Sequence, residues 1–385
     1  MEHSSANVMA GIPAINSALY RKVRFNVGDP VALVAIGEGD DQKSIFILRD
    51  IEMHRAKQHA QADEIACPAD YAPTEGLSGD RETATAQATA ECLVQHGITS
   101  VVADRTLPLI FAEIIRARGI EVVCDMEFGV TDRRSKDAQE IAWLKEAQAA
   151  TEQAMEMACQ LIARANVDED GTLMHEGSPL TSERVRNAID VKLLELGYAN
   201  VPSIVAGGPT GADCHEIGSG PLKTGQPVIV DIFPQNRSTL YNGDCTRTVV
   251  HGTVSEQLEQ MHAAVYAAKQ AGEAAVKPGV TGEDVHKAVI AKIREHGFEI
   301  GIPDETMSDE YCAMVHGTGH GIGLDVHEPP LLDFKGPELV VGDALTIEPG
   351  VYSKAIGGIR IEDMVVVTET GCENLNQLPQ GLDWN

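Results

Sequence analysis

VRNAIDVKLLELGY, residues 185–198, lines up without gaps on VHKAVIAKIREHGF, residues 285–298. Val185, Ala188, Lys192, Glu195 and Gly197 return as Val285, Ala288, Lys292, Glu295 and Gly297, and Ile189, Leu193 and Tyr198 meet similar apolar residues. Each copy reads as a helix ended by glycine, and the second opens with a capping-box pattern from Thr281 to Asp284. Downstream of each helix a second likeness follows: LKTGQPVIVD, ending at Asp231, resembles LVVGDALTIE, ending at Glu348, with Leu222 and Gly225 repeated as Leu339 and Gly342. A duplicated helix-helix-strand unit that closes on an acid in each copy can face two acids across a pseudo-twofold axis. That is an architecture for a two-metal site.

Upstream, SKDAQEIAWLKEAQAATEQAMEMACQLIARA from Ser135 places Ile141, Leu144, Ala147, Met155, Ala158 and Ile162 at helical spacing, with Asp137 and Glu140 in the first turn. A long amphipathic helix therefore opens the second domain. From Pro30 to about Asp125, the apolar runs VALVAIG, SIFILRD, TSVVAD and IEVVCD alternate with helix-like stretches such as Thr83 to Gln95. This reads as a small α/β domain. The expected division is 1–130 and 131–385, in an α/β (α+β) chain whose length exceeds a single core.

Hydrophobic residues make up 43% and charged residues 23%, an ordinary globular composition. The formal net charge of -28, without a basic block, argues against nucleic acid and anionic lipid as partners. The eight cysteines contain no C-x-x-C or close pair, which suits a reducing compartment. No leader-like or membrane-length apolar stretch is found, so the expectation is a cytoplasmic enzyme.

Four stretches carry chemistry. In VIVDIFPQNRSTLYNGDCTRTVV, Asp231 closes an apolar strand and Asp244 follows thirteen positions later, a distance that suits a hairpin bringing both acids to one end. HGTGHGIGLDVHEPP holds His316, His320 and His327; TIEPGVY holds Glu348; GIRIEDMVVV holds Arg360 and Glu362. A carboxylate among valines and isoleucines is rarely buried unless paired or metal-bound, and three such intrusions favour a shared counter-ion. The alternating glycines 317, 319, 321 and 323 are expected to let backbone pass close to a metal or substrate. His320 is the candidate ligand of its stretch, with the flanking histidines near the substrate. Four carboxylates and one imidazole form a mostly hard donor set suited to two divalent ions: manganese first, with iron(II), cobalt or zinc as the others. Such a centre acidifies a bridging water and polarises a carbonyl, so the reaction class is hydrolysis. Arg360, two before Glu362 on a presumed single strand, points to the same face, where it orients ligand carboxylates or binds substrate.

HGTGHGIGLDVHE and the order Asp, Asp, His, Glu, Glu resemble the aminopeptidase P and prolidase branch of the pita-bread metallopeptidases, from about Ser135 to the end; the first domain resembles the creatinase-type N-terminal domain. The resemblance implies that Asp231, Asp244, His320, Glu348 and Glu362 are the metal ligands, with Asp244 and Glu362 bridging and Glu348 also moving the proton. It implies that His327 and His316 steady the substrate carbonyl and tetrahedral intermediate, that His215 in GADCHEIGSG lines the substrate pocket, and that the protein is a homodimer. The expected activity is release of residues at Xaa-Pro bonds of short peptides. The other readings are a non-catalytic pita-bread protein that binds peptides or proteins, and a hydrolase of another small amide or C–N substrate. The thirteen-residue interval implies two extra residues in the hairpin and an altered pocket rim.

Overall fold

The computed structural model describes residues 5–37, 39–304 and 306–385, and the chain divides into two compact units, Met1–Arg133 and Arg134–Asn385. In the first, a six-stranded sheet runs in the order Glu64–Ala66, Lys43–Ile47, Val31–Ile36, Ser5–Gly11, Ser100–Asp104, Glu121–Asp125. The four apolar runs form strands, and the helix expected from Thr83 begins two residues earlier, as Arg81–Gln95 capped by the Asp80 side chain. Two strands were passed over by sequence reasoning: the short edge strand Glu64–Ala66, and Ser5–Gly11, which pairs antiparallel with Val31–Ile36 and parallel with Ser100–Asp104. The SANVMAG string of Ser5–Gly11 is poor in β-branched and aromatic residues, so propensity does not mark it; burial between two neighbours makes it a strand.

The second unit is built twice from one plan. Helix Ala138–Ala163 starts at an Asp137–Glu140 capping box and buries Leu144, Ala147, Met155, Ala158 and Ile162. It leads to helix Ser182–Glu195, then to the antiparallel sheet Ile204–Gly207, Pro227–Ile232, Cys245–Val250. The second round runs from helix Glu256–Ala275 through helix Gly282–Glu295 to the five-stranded sheet Glu328–Leu332, Gly319–Gly321, Ala344–Ile347, Asp363–Val367, Cys372–Asn374. The two repeat helices are each 14 residues long, capped by Thr181 and Thr281 side chains accepting from the third residue on. Caps of this kind contribute about 1 kcal/mol each. Both helices end at left-handed glycines, Gly197 (φ 89°) and Gly297 (φ 85°), a conformation only glycine takes without strain.

Arg360 and Glu362 do not share a strand as expected. Gly357–Arg360 ends in a four-stranded sheet, and Glu362 lies in the two-residue link to Asp363–Val367 of the next sheet. Arg360 pairs with Gly350 while Glu362 N–H donates to Thr246 O at 3.0 Å, so the chain steps between sheets here, yet both side chains meet Thr246 Oγ1 and reach one cavity. Among the described residues, no helix is long and apolar enough to cross a membrane.

Candidate metal centre

Asp231 and Asp244 come together as the spacing requires. Pro227–Ile232 pairs with Cys245–Val250 so that Asp231 stands opposite Thr246, and Asp244 immediately precedes the returning strand. The long connection makes an extra turn: Asn236 Oδ1 accepts from Ser238 and Thr239 N–H, and Leu240 is left-handed at φ 61°. Asn242 anchors this excursion by donating to Gly323 O and Leu324 O at 2.9 and 3.0 Å, joining the hairpin to the histidine stretch. The long first helix then holds Asp244 from behind: the Gln148 amide donates to Asp244 O at 2.7 Å and accepts from Asp244 N–H at 2.9 Å.

His320 sits on the short strand Gly319–Gly321, opposite Leu331. The glycines around it serve a packing end besides the one expected. A Cβ on Gly319 would lie 2.0 Å from Thr346 O, and one on Gly321 would lie 2.4 Å from Glu328 O. At these two positions neighbouring backbone takes the space a side chain would need, while Gly317 and Gly319 also line the cavity of the candidate site. Glu348 follows strand Ala344–Ile347, its N–H donating to Thr318 O at 2.8 Å.

All nine residues singled out in the sequence line one cavity of about 400 Å³: Asp231, Asp244, His320, Glu348, Glu362, His215, His316, His327 and Arg360. Asp244, His320 and Glu362 are the tightest group, each offering a donor atom within 4.8 Å of the others. Glu348 Oε1 lies 3.4 Å from His320 Nε2, and Asp244 Oδ2 lies 3.8 Å from it. Asp231 is drawn to the opposite side by Arg360, whose Nη2 donates to Asp231 Oδ2 at 2.7 Å. The His320 and His327 rings are 4.2 Å apart, with His327 exposed at the mouth, and His215 is also exposed.

The electrostatics of this cavity call for cations. Burial pushes the carboxyls of Asp244 and Glu362 well above their ordinary range, with repulsion from the other acids adding to it; Glu348 is raised to about 7, again chiefly by burial. His320 Nδ1 faces Gly321 O at 3.1 Å, which can only accept, so Nδ1 carries the hydrogen. Burial lowers the ring to about 4, leaving it neutral near pH 7 with the Nε2 lone pair aimed at two carboxylates. Asp231 Oδ1 is buried without a hydrogen bond. Lone pairs converging on one another in a desolvated space are repulsive unless a proton or metal ion lies between them. The donor set fits hard or borderline divalent ions.

Three features were not read from the sequence. Tyr352 hydroxyl bonds His316 Nε2 at 2.7 Å and accepts from Arg360 Nη1 at 3.0 Å, while His316 Nδ1 bonds Gly317 O at 2.8 Å. Both ring nitrogens of His316 are thus engaged. Thr246 donates to Glu362 Oε2 at 2.8 Å and receives Arg360 Nε at 3.3 Å. Behind them Arg247, fully buried, donates to Glu362 O and Thr246 O and pairs with Asp363 at 2.7 Å. Their only signal in sequence is position: Tyr352 four after Glu348, Thr246 two after Asp244, Arg247 beside it.

A duplicated helix-helix-sheet plan closing on an acid-lined cavity defines the pita-bread fold, here preceded by a smaller α/β unit. Residues 142–369 match metallopeptidase family M24, and the chain belongs to that family. The family's reactions depend on divalent metal ions. Among curated relatives, the Mycobacterium tuberculosis protein named "Probable dipeptidase PepE" is 38% identical over 190 residues, 48% of this chain and 47% of that one. Xaa-Pro aminopeptidase 1 of Streptomyces coelicolor is 32% identical over 273 residues, 65% of this chain and 53% of the relative. The match thus spans about half the length of these relatives. Likeness of fold runs further: an X-Pro aminopeptidase structure from Thermotoga maritima superposes with a TM-score of 0.79 at 24% identity, covering 98% of this chain and 97% of that one. A prolidase structure from Pyrococcus horikoshii gives 0.76 at 22%, covering 98% and 95%.

Proposed function

We propose that the protein is a metal-dependent exopeptidase that hydrolyses Xaa-Pro bonds of short peptides. The observation that carries this reading is the convergence of four carboxylates and one neutral imidazole on a single cavity of about 400 Å³, a size that suits a small ligand. Asp231, Asp244, His320, Glu348 and Glu362 would hold two divalent ions, manganese first. Bound there, such ions supply a Lewis acid for the scissile carbonyl and lower the pKa of water. His327, at the mouth, donates to the carbonyl oxygen as negative charge develops on it. Glu348 takes the proton from the attacking water and returns it to the leaving prolyl nitrogen. His316, held from behind by the Tyr352 hydroxyl and tied at both nitrogens, forms the wall beside the substrate, and His215 covers the outer edge. Arg360 is committed to Asp231, Cys214 O, Tyr352 and Thr246; it positions ligand carboxylates in place of the substrate contact also considered from the sequence.

Incubation with a panel of Xaa-Pro and non-prolyl peptides tests this reading. Xaa-Pro hydrolysis is expected, abolished by chelator and restored by added manganese, with the ion also raising Tm by mass action. Cleavage of another amide class alone would redirect the assignment to a different hydrolase, and peptide binding without turnover would point to a non-catalytic relative.

We infer a homodimer, chiefly because the resemblance to the aminopeptidase P and prolidase branch implies one and, more weakly, because closed twofold assemblies are the commonest oligomers. Sedimentation at micromolar concentration is expected to give twice the mass of 41.2 kDa; a monomer would remove the claim. All eight cysteines are free thiols, which supports residence in the cytoplasm, and cell fractionation checks it.

A further inference from the structure

The hydrolytic reading leaves open whether the prolyl residue ends the substrate or continues it, and the charge of the cavity bears on that choice. A free dipeptide places a carboxylate close to the scissile bond, and a desolvated carboxylate needs a fixed cation. Among the described residues lining the cavity, Arg360 is the one with a permanent positive charge. It is 3% exposed, and each of its three side-chain nitrogens is engaged within the protein.

The rest of the lining points the same way. Two dications, together with Arg360 paired to Asp231, are set against the four ligand carboxylates, and Asp333 is the one lining carboxylate outside that cluster. Its side chain is 45% exposed, and it is held in place as its Oδ1 accepts Phe334 N–H at 2.7 Å. The nearest basic group, His286 Nε2 at 3.5 Å, does not neutralise it: burial lowers that imidazole, whose Nδ1 is bonded to Thr318 Oγ1 at 2.9 Å. The same cavity also has apolar lining, with Leu331, two residues before Asp333, 57% exposed, and Val326, Ile204 and Phe233 elsewhere on its wall. This surface accepts peptide chain and repels an anion.

We propose, resting on the hydrolytic reading above, that the cavity selects Xaa-Pro segments continued by further residues over free Xaa-Pro dipeptides, with Asp333 as the specificity-determining charge. The preferred substrate is a peptide whose prolyl carbonyl is an amide.

The manganese-loaded protein is assayed on Ala-Pro, Ala-Pro-amide and Ala-Pro-Ala at about pH 8, where imidazoles are largely neutral. The amide and the tripeptide are expected to exceed the dipeptide in kcat/KM by about tenfold or more, the effect of one unfavourable charge contact in a partly desolvated site, with KM carrying the difference. Asp333→Asn is expected to narrow that ratio by about threefold or more. A purely structural role for Asp333 would slow all three substrates alike and leave the ratio unchanged, which overturns the role assigned to it. Equal or faster cleavage of the free dipeptide by the unaltered protein overturns the selectivity, while leaving the exopeptidase reading intact. Hydrolysis of none of the three sinks that reading and this inference together.

Discussion

His320→Ala is expected to lose metal and hydrolysis together, whereas His327→Ala keeps the metal and slows turnover by about 10²- to 10³-fold. The two histidines are neighbours, with rings 4.2 Å apart, yet their surroundings separate their roles. His320 is buried, its Nδ1 set by Gly321 O, and its bare Nε2 lies 3.4 and 3.8 Å from Glu348 and Asp244. Removing it takes one donor from a shared cluster. His327 stands exposed at the mouth, where the proposed mechanism has it meet the substrate. Metal content by plasma emission and product release from an Xaa-Pro peptide decide the matter. Loss of metal from His327→Ala, to the degree seen in His320→Ala, would refute the division of roles.

Asp363→Ala is expected to destabilise the second unit by about 3–5 kcal/mol, because it strips the partner from buried cations. Asp363, Arg247 and Lys269 are all fully buried. Arg247 pairs with Asp363 at 2.7 Å, Lys269 binds both Asp363 and Glu273, and Asn374 and Gln380 donate to the same carboxylate at 2.9 and 3.0 Å. Burial alone would raise the Asp363 carboxyl, but the two cations outweigh it and hold the group below its ordinary value. For a unit of this size the loss corresponds to a fall in Tm of roughly 10 °C. Metal affinity should fall with it, since Arg247 Nη1 also holds Glu362 O at 2.6 Å. Glu295→Ala, which breaks an exposed pair with Lys292, serves as the control and should leave Tm unchanged. A Tm for Asp363→Ala within about 3 °C of the parent protein would show that the network is not structural.

The duplicated plan was legible because helix periodicity and terminal glycines are local signals that Val185–Gly197 and Val285–Gly297 carry at the same spacing, with a capping pattern read at Thr281 and its counterpart at Thr181 added by the structure. The candidate site was legible for a related reason: charged residues among β-branched runs conflict with burial, and Asp231, Glu348 and Glu362 stand out wherever the neighbours are read as strands. Ser5–Gly11 was missed because its residues carry no strand preference of their own. The break between Arg360 and Glu362 was missed because GIRIEDMVVV alternates like one strand. The turn from one sheet to the next is dictated by pairing with Gly350 on one side and Thr246 on the other.

By itself, then, the sequence determined the repeat, the approximate extent of the elements and the residue types that meet at the cavity, since these depend on spacing and burial within short windows. Which groups touch was decided only by the tertiary structure. Arg360 lies 129 positions from Asp231, Gln148 lies 96 from Asp244, and Arg247 lies 115 from the carbonyl it holds at Glu362. Contacts over such separations follow from how two sheets and two long helices close on one another. The same is true of the glycines in HGTGHGIGLDVHE, whose purpose depends on backbone that arrives from strands far along the chain. Spacing can nominate a donor, but its direction and remaining valence are set by the neighbours that folding brings to it.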